Sequence, residues 1–264
     1  MPGLGVAIAA LLVLACGWWL WPRVKRAYHY RRKISESGYL PPAPTEDAAK
    51  LATKLANVVL FLFVGKVKIH GIENIDALPA PALIIPNHSH GADPFVMARV
   101  LNRPTRYMAG HGILRVFGSA AARSGAFSIA FGNPSEAVKA LDASVKLLLA
   151  NENVCVYPEG ELFEPVGQFK SGAVRIAARA SQQLGKPIAI LPVMIRYGRY
   201  PGKWVHYMPD YIRYLMPALI PLWYRRGVTV VVGKHFLSSE LSANVHEASR
   251  QLRERVVALD TLSK

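Results

Sequence analysis

The apolar run Ala82 to Pro86 passes directly into a polar, turn-forming cluster, Asn87-His88-Ser89-His90-Gly91-Ala92-Asp93, and then into Pro94 and a helical pattern ending near Leu101. A short apolar run bounded by turn formers reads as a buried strand. Asp93-Pro94 reads as a helix cap followed by proline at the first helical position. The succession strand, loop, helix recurs along the chain. Val154 to Tyr157 is a second buried strand, and it delivers Pro158-Glu159-Gly160 to a loop in the same topological position as His88. The chain therefore reads as an α/β domain with a mixed central β-sheet flanked by helices, a fold in which ligands bind where loops leave the carboxyl ends of neighbouring strands.

The first of these loops carries the strongest chemical signal. Two side chains five residues apart on such a loop can fold toward each other. A carboxylate bonded to one imidazole nitrogen fixes the tautomer, so the other nitrogen can accept a proton. His88 and Asp93 are on this reading a general base and its orienting group. Two other readings stand beside it: a solvated loop histidine next to an ordinary aspartate cap, and part of a zinc site in which His88, His90 and Asp93 converge on a metal and serve a hydrolase.

Further elements follow from periodicity. A helix is expected over about Thr45 to Val64, with Leu51, Leu55, Val58, Val59 and Leu62 at helical spacing and Phe61 and Phe63 widening the apolar face. Strands are expected at Lys66 to His70, Arg103 to Ala109 and Ala126 to Ala130, with a small helix from Leu114 to Ser124 between the last two. Asn133-Pro134-Ser135-Glu136 presents cap, helical proline and third-position acid in order, opening a helix to about Ala150. Phe169-Lys170-Ser171-Gly172 precedes another helix, ending at Gly185. Ile188 to Ile195 is strand-like, and Pro192 points to an edge or a bulge. Gly227 to Gly233 is the last strand, and a helix from Ser239 to Leu259 closes the chain.

Composition bears on where the domain works. Of the 264 residues 52% are hydrophobic, and 32 Lys and Arg stand against 17 Asp and Glu, a formal charge of +15. Such a balance suits nucleic acid or an anionic lipid surface. No RNA-binding aromatic signature, Cys/His finger or basic heptad region is present, which leaves nucleic acid without a recognition element. Leu4 to Trp21 contains no charged side chain, and as a helix it would reach ~27 Å against a hydrocarbon core of ~30 Å. Trp18, Trp19 and Trp21 then form an interfacial belt before a run of Arg and Lys with no acid until Glu36. The expected organisation is a single-pass anchor at residues 1–22, a basic linker and amphipathic membrane-associated helix at 23–65, and a catalytic domain at 66–264 on the cytoplasmic side. Within that domain, an insertion at 200–226 interleaves aromatic and basic residues as a membrane interface does. Cys16 and Cys155 form no disulfide framework.

These residues resemble the glycerolipid acyltransferase family, of 1-acylglycerol-3-phosphate type, over roughly Val67 to Val232. An Asn-His-x-x-x-x-Asp block is met by Asn87, His88 and Asp93, and a Pro-Glu-Gly block at a strand end by Pro158, Glu159 and Gly160. Phe169-Lys170-x-Gly172 and a Pro192-Val193 strand follow in order. The resemblance implies a membrane-bound acyltransferase with His88 and Asp93 catalytic, and with Asn87, Glu159, Gly160, Phe169, Lys170 and Gly172 around the substrate. An acyl-CoA or acyl carrier protein thioester would be the co-substrate and a lysolipid the acceptor, with no metal, no other cofactor and no covalent intermediate. An oxyanion donor is expected near Gly91 or at the helix start. The chain departs from the pattern at Glu161-Leu162, where the family has Thr-Arg, at Phe131, where an arginine is common, and at His90, where a serine is usual. Losing two arginines removes the planar forks suited to a terminal phosphate. An acceptor with a capped phosphate or another head group is expected, unless Lys170, Arg175 or His111 substitutes for the missing charge. Beside the transferase and the zinc hydrolase, a non-catalytic lipid-binding protein is the third reading of this sequence.

Overall fold

The computed structural model describes residues 21–130, 133–162, 166–198 and 227–263. The described part of the first helix, α1, covers residues 21–34. It is followed by α2 (Glu46–Phe63), β1 (Val67–His70), α3 (Glu73–Asp76), β2 (Ala82–Pro86), α4 (Asp93–Leu101) and β3 (Arg106–Gly110). Next come α5 (His111–Phe117), α6 (Ser119–Arg123), β4 (Ala126–Ile129), α7 (Pro134–Leu149), β5 (Val154–Cys155) and α8 (Gly172–Leu184). β6 (Ala189–Tyr197), β7 (Val228–Val232), β8 (Phe236–Leu237) and α9 (Val245–Val257) complete the fold. The eight strands form one sheet in the order β1-β7-β6-β2-β5-β3-β4, with β8 also on β6. The expected mixed sheet is present. β2 runs parallel to β5 and β6, while β6 pairs antiparallel with β7 and β8.

β2 lies inside the sheet with all five residues buried. Its alternate side chains feed two layers. Leu83 and Ile85 join Phe127, Leu148, Ile176 and Leu252 on the face covered by α7, α8 and α9. Ala82 and Ile84 join Leu60, Val96, Met97 and Val100 on the face covered by α2 and α4. Burying a leucine or isoleucine in this way contributes roughly 1.5–3 kcal/mol. The period of two along a strand is what sends neighbouring residues to opposite layers.

Several expected boundaries move, each for a visible reason. The basic stretch after residue 22 is helical to residue 34, and only the following segment is a connection. That connection covers the edge strand β4. Ser128 Oγ donates to Ser35 O at 2.8 Å, Ala130 N to Ser37 Oγ at 2.9 Å, and Arg106 Nη1 to Pro41 O and Pro42 O at 2.9 and 3.1 Å. A covered edge cannot recruit another strand. The helix expected from Leu114 to Ser124 is broken at Gly118, whose φ of +53° ends α5 and starts α6.

Pro192 lies within β6, flanked by strands on both sides and not at an edge, and it faces an irregularity of the bulge kind, two residues (191–192) opposite three (233–235). Its carbonyl accepts from Gly233 N at 2.9 Å, so the position of its missing N–H faces the seam where β8, paired through Ile190, gives way to β7, paired from Val193. The proline therefore costs the ladder no bond there. The final helix begins late. Ser238–Glu240 is a 3-10 turn, and α9 starts only after Asn244, whose side chain accepts from His246 N and Glu247 N.

Among the described residues no helix is long and apolar enough to cross a membrane. The anchor expected at residues 1–22 lies outside the described residues, apart from its last two positions. The insertion expected at 200–226 also lies outside them. Its flanks meet where Gly198 N donates to Gly227 O at 3.1 Å.

Candidate active site

The loops after β2 and β5 and the end of β6 converge at one edge of the sheet, since β2 lies between β5 and β6 and runs parallel to both. β6 continues four residues past the partner of Pro86, which is Val193. The overhang receives the chain leaving β2. Asn87 N donates to Val193 O at 3.3 Å. The Asn87 amide pairs with the backbone of Ile195, Nδ2 to its carbonyl at 3.0 Å and Oδ1 from its N–H at 2.6 Å. A buried side chain thus extends the ladder by one rung and fixes where His88 begins.

Asp93 is fully buried and gathers the loop around its carboxylate. Oδ2 accepts from His88 Nδ1 at 2.8 Å, Ser89 N at 2.8 Å and His90 N at 2.9 Å. Oδ1 accepts from the Tyr197 hydroxyl at 2.7 Å. Asp93 is therefore not the helix cap that Asp-Pro suggested. It is the first residue of α4, the preceding Ala92 occupies the cap position, and the carboxylate turns back onto the loop. With Nδ1–H of His88 committed to Asp93, the basic lone pair sits on Nε2. The ring stacks on Tyr157, centroids 4.3 Å apart and planes at 29°. Burial raises the Tyr157 phenol well above its ordinary range, so this wall stays neutral.

His90 faces a different way. Its Nδ1 accepts from Ala92 N at 3.1 Å and its ring lies 4.6 Å from that of Tyr197. Burial lowers its pKa, in keeping with a neutral ring that accepts at Nδ1. Both Nδ1 atoms are turned to partners within the loop, and among the described residues there is no group of three or more His, Cys, Asp or Glu side chains that could hold a metal ion. From Asn87 to Asp93, the N–H of Gly91 is the one backbone donor with no bonding partner among the described residues.

Glu159 ties the second loop to the first. Its Oε2 accepts from His88 N at 2.6 Å and its Oε1 from Gly167 N at 3.0 Å, and the side chain is fully buried. The 166–167 turn is held in place by Arg253 of α9, which donates to Val166 O at 3.0 Å and Gly167 O at 2.8 Å. Gly160 follows at φ +73°, a backbone conformation suited to glycine. Lys170 N donates to Pro158 O at 2.8 Å, and its ammonium lies 3.5 Å from Glu161 in an exposed pair. Phe169 is buried in the core against the sheet, and Gly172 opens α8. His88, Asp93 and Glu159 are thus joined by hydrogen bonds, Asn87 is bonded to β6 beside them, Gly160 and Lys170 flank them, and Phe169 and Gly172 belong to the framework below. Phe131 lies outside the described residues.

Burial pushes the Glu159 carboxyl up to about 8 against the two N–H donors that oppose the shift. A carboxyl raised on folding stabilises the fold fully below its ordinary value, and that contribution is lost as pH rises through about 8. The thermal midpoint is expected to fall through this group as pH rises from about 4.5 to about 8, and to level off above that. Glu159→Gln, which cannot titrate, should melt lower at the acidic end yet with a flatter dependence. An unchanged slope in the variant would remove Glu159 as its source.

Tyr197, Tyr157 and Arg253 are the partners that sequence reasoning missed. Tyr197 and Tyr157 have the parity of Val193, Ile195 and Cys155, all of which pack on the α4 side of the sheet. Extending each strand by one alternation would have placed both tyrosines beside the start of α4.

Fold and site together set a hydrogen-bonded histidine–aspartate pair at the carboxyl end of the largely parallel sheet of an α/β domain. Residues 66–196 match the family model described as Acyltransferase, and this domain belongs to the acyltransferase family. Its fold is similar to the crystal structure of the 1-acyl-sn-glycerophosphate (LPA) acyltransferase, PlsC, from Thermotoga maritima. The two share 19% identity over 81% of this chain and 79% of that one, with a TM-score of 0.57. Comparison with curated protein sequences finds no match.

Proposed function

We propose that this protein transfers a fatty acyl chain from an acyl-CoA or acyl carrier protein thioester to a hydroxyl of a lysophospholipid or related glycerolipid at a membrane surface. The observation that carries the reading is the 2.8 Å bond from His88 Nδ1 to a buried Asp93 within an acyltransferase domain. His88 Nε2 takes the proton of the acceptor hydroxyl, and the oxygen attacks the thioester carbonyl as the proton leaves. The tetrahedral oxyanion accepts from the Gly91 N–H, the uncommitted donor of the loop. Collapse breaks the C–S bond, and the departing thiolate takes the proton from His88. No acyl-enzyme forms, and Asp93 stabilises the imidazolium between the two transfers.

The acceptor head group is not a bare phosphate monoester on this reading. Glu161 places a carboxylate 3.5 Å from the Lys170 ammonium, and the next residue, Leu162, stands where a phosphate-binding arginine would otherwise supply charge. A capped phosphate or a head group with a cation of its own suits such a pair.

Attachment to the bilayer is supported by apolar surface on the described helices. On α2, Leu51, Leu55, Val58, Phe61 and Leu62 are exposed, Phe61 by 74%, while Ala56 and Leu60 face inward. Trp21, Val24 and Tyr28 on α1 and Val116 and Phe117 on α5 are also exposed. Amphipathic helices with such faces lie in the headgroup region, and each basic residue near an anionic surface adds about 1 kcal/mol. The single-pass anchor at residues 1–22 would add to this and set the domain on the cytoplasmic side.

The test is release of free thiol from a long-chain acyl-CoA, and separately from an acylated carrier protein, by the full chain in lipid micelles with a panel of lysolipids. Acceptor-dependent release is expected, strongest with capped-phosphate or zwitterionic lysolipids. No release with either donor and any acceptor would leave the hydrolase or the non-catalytic lipid-binding reading in its place.

A further inference from the structure

Asp93 presents two chemically equivalent oxygens, and the loop loads them unequally. Three N–H donors, among them His88 Nδ1, crowd onto Oδ2, while Oδ1 faces away from the loop. The torsion that sets a carboxylate plane is broad and nearly two-fold, so the side chain does not by itself decide which oxygen meets which donor. The partner on the far side decides it. The Tyr197 hydroxyl donates to Oδ1 at 2.7 Å, within the range of a strong O–H···O⁻ bond. Tyr197 is the last residue of β6 and pairs with Val228 across the ladder, and its ring packs on His90. The donor is therefore carried on rigid structure 104 residues from Asp93 in sequence.

We propose that Tyr197 is a positioning residue for the histidine–aspartate pair, holding Oδ1 so that Oδ2 stays aligned on His88 Nδ1. The inference rests on the acyl-transfer reading, in which the imidazolium must be stabilised without delay at each proton transfer. Without the phenol O–H, Oδ1 is a buried acceptor with no donor. The carboxylate then gains by twisting to share the Ser89 and His90 N–H groups between its oxygens, and the His88 bond lengthens.

Tyr197→Phe tests this in the full chain, because phenylalanine keeps the ring against His90 and the core contacts and removes only the O–H. Two readouts are taken: kcat and KM from thiol release, and the proton resonance of His88 Nδ1–H, assigned by its absence in His88→Ala. The expected result is a kcat lower by about 10- to 100-fold, the worth of a hydrogen bond to a charged group, with KM within about twofold. The Nδ1–H resonance should shift upfield as its bond weakens. An unmoved resonance overturns the proposal whatever happens to kcat, as does a kcat within about twofold of the parent. If the parent protein shows no acceptor-dependent turnover, the transfer reading fails separately, and the resonance alone decides whether Tyr197 sets the His88–Asp93 bond.

Discussion

Replacing His88 with alanine is expected to lower acyl transfer by about 10²- to 10⁴-fold while leaving the fold in place. The two effects separate because the residue holds the loop and does chemistry through different atoms. Its backbone N–H donates to Glu159, and alanine keeps that bond. Asn87 still extends the sheet, and Asp93 still receives Ser89 N, His90 N and the Tyr197 hydroxyl. What goes is the ring, its Nε2 lone pair and its stack on Tyr157, the last worth about 0.5–1.5 kcal/mol. Acceptor-dependent thiol release and thermal unfolding of the same preparation check both halves. Turnover within about threefold of the parent would remove His88 from the chemistry. A collapsed melting transition would mean that the ring supports the loop.

What could be read from the sequence was local. The strand Ala82–Pro86, the loop behind it and the five-residue spacing of His88 and Asp93 all lie within one short stretch, and the structure joins the two side chains by a direct bond. Asp93 nonetheless reads as a cap in the sequence, because Asp before Pro serves equally well when the carboxylate turns back to earlier N–H groups. The sequence cannot show that turn without the donors on the other side. Those donors come from far away. Tyr197 meets Asp93 only because β6 runs parallel to β2 and outlasts it, and Arg253 meets the Glu159 turn only because α9 lies against α8 and the sheet. Registers between strands are set by packing over the whole sheet, and no single stretch encodes them. Pro192 shows the same limit from the other direction. Its propensity argues for an edge, and only the seam between β7 and β8 makes an interior place harmless.

Asp93→Asn is expected to cost activity in the same range, about 10²- to 10⁴-fold, through loss of charge more than loss of shape. The donors around the carboxylate dictate how the amide must sit. The backbone N–H groups of Ser89 and His90 point at Oδ2 and cannot accept, so the amide oxygen is forced there, where His88 can go on donating from Nδ1, and the NH₂ is forced toward Tyr197. A tyrosine hydroxyl can turn and accept from that NH₂. The exchange preserves the arrangement of His88 and leaves the imidazolium without its counter-charge, with a stability loss near 1–3 kcal/mol as bonds to a charged acceptor become neutral. Urea denaturation alongside thiol release measures the two terms. Retention of more than about a tenth of the activity would mean that orientation of the ring, and not the carboxylate charge, is what Asp93 supplies. The same reasoning makes the double variant with Tyr197→Phe informative. Phenylalanine strands a charged oxygen beside the native carboxylate but only a neutral NH₂ beside the amide, so the destabilisation of the double variant should fall short of the sum of the two single changes. Simple additivity would show that Tyr197 and Asp93 do not act as one unit.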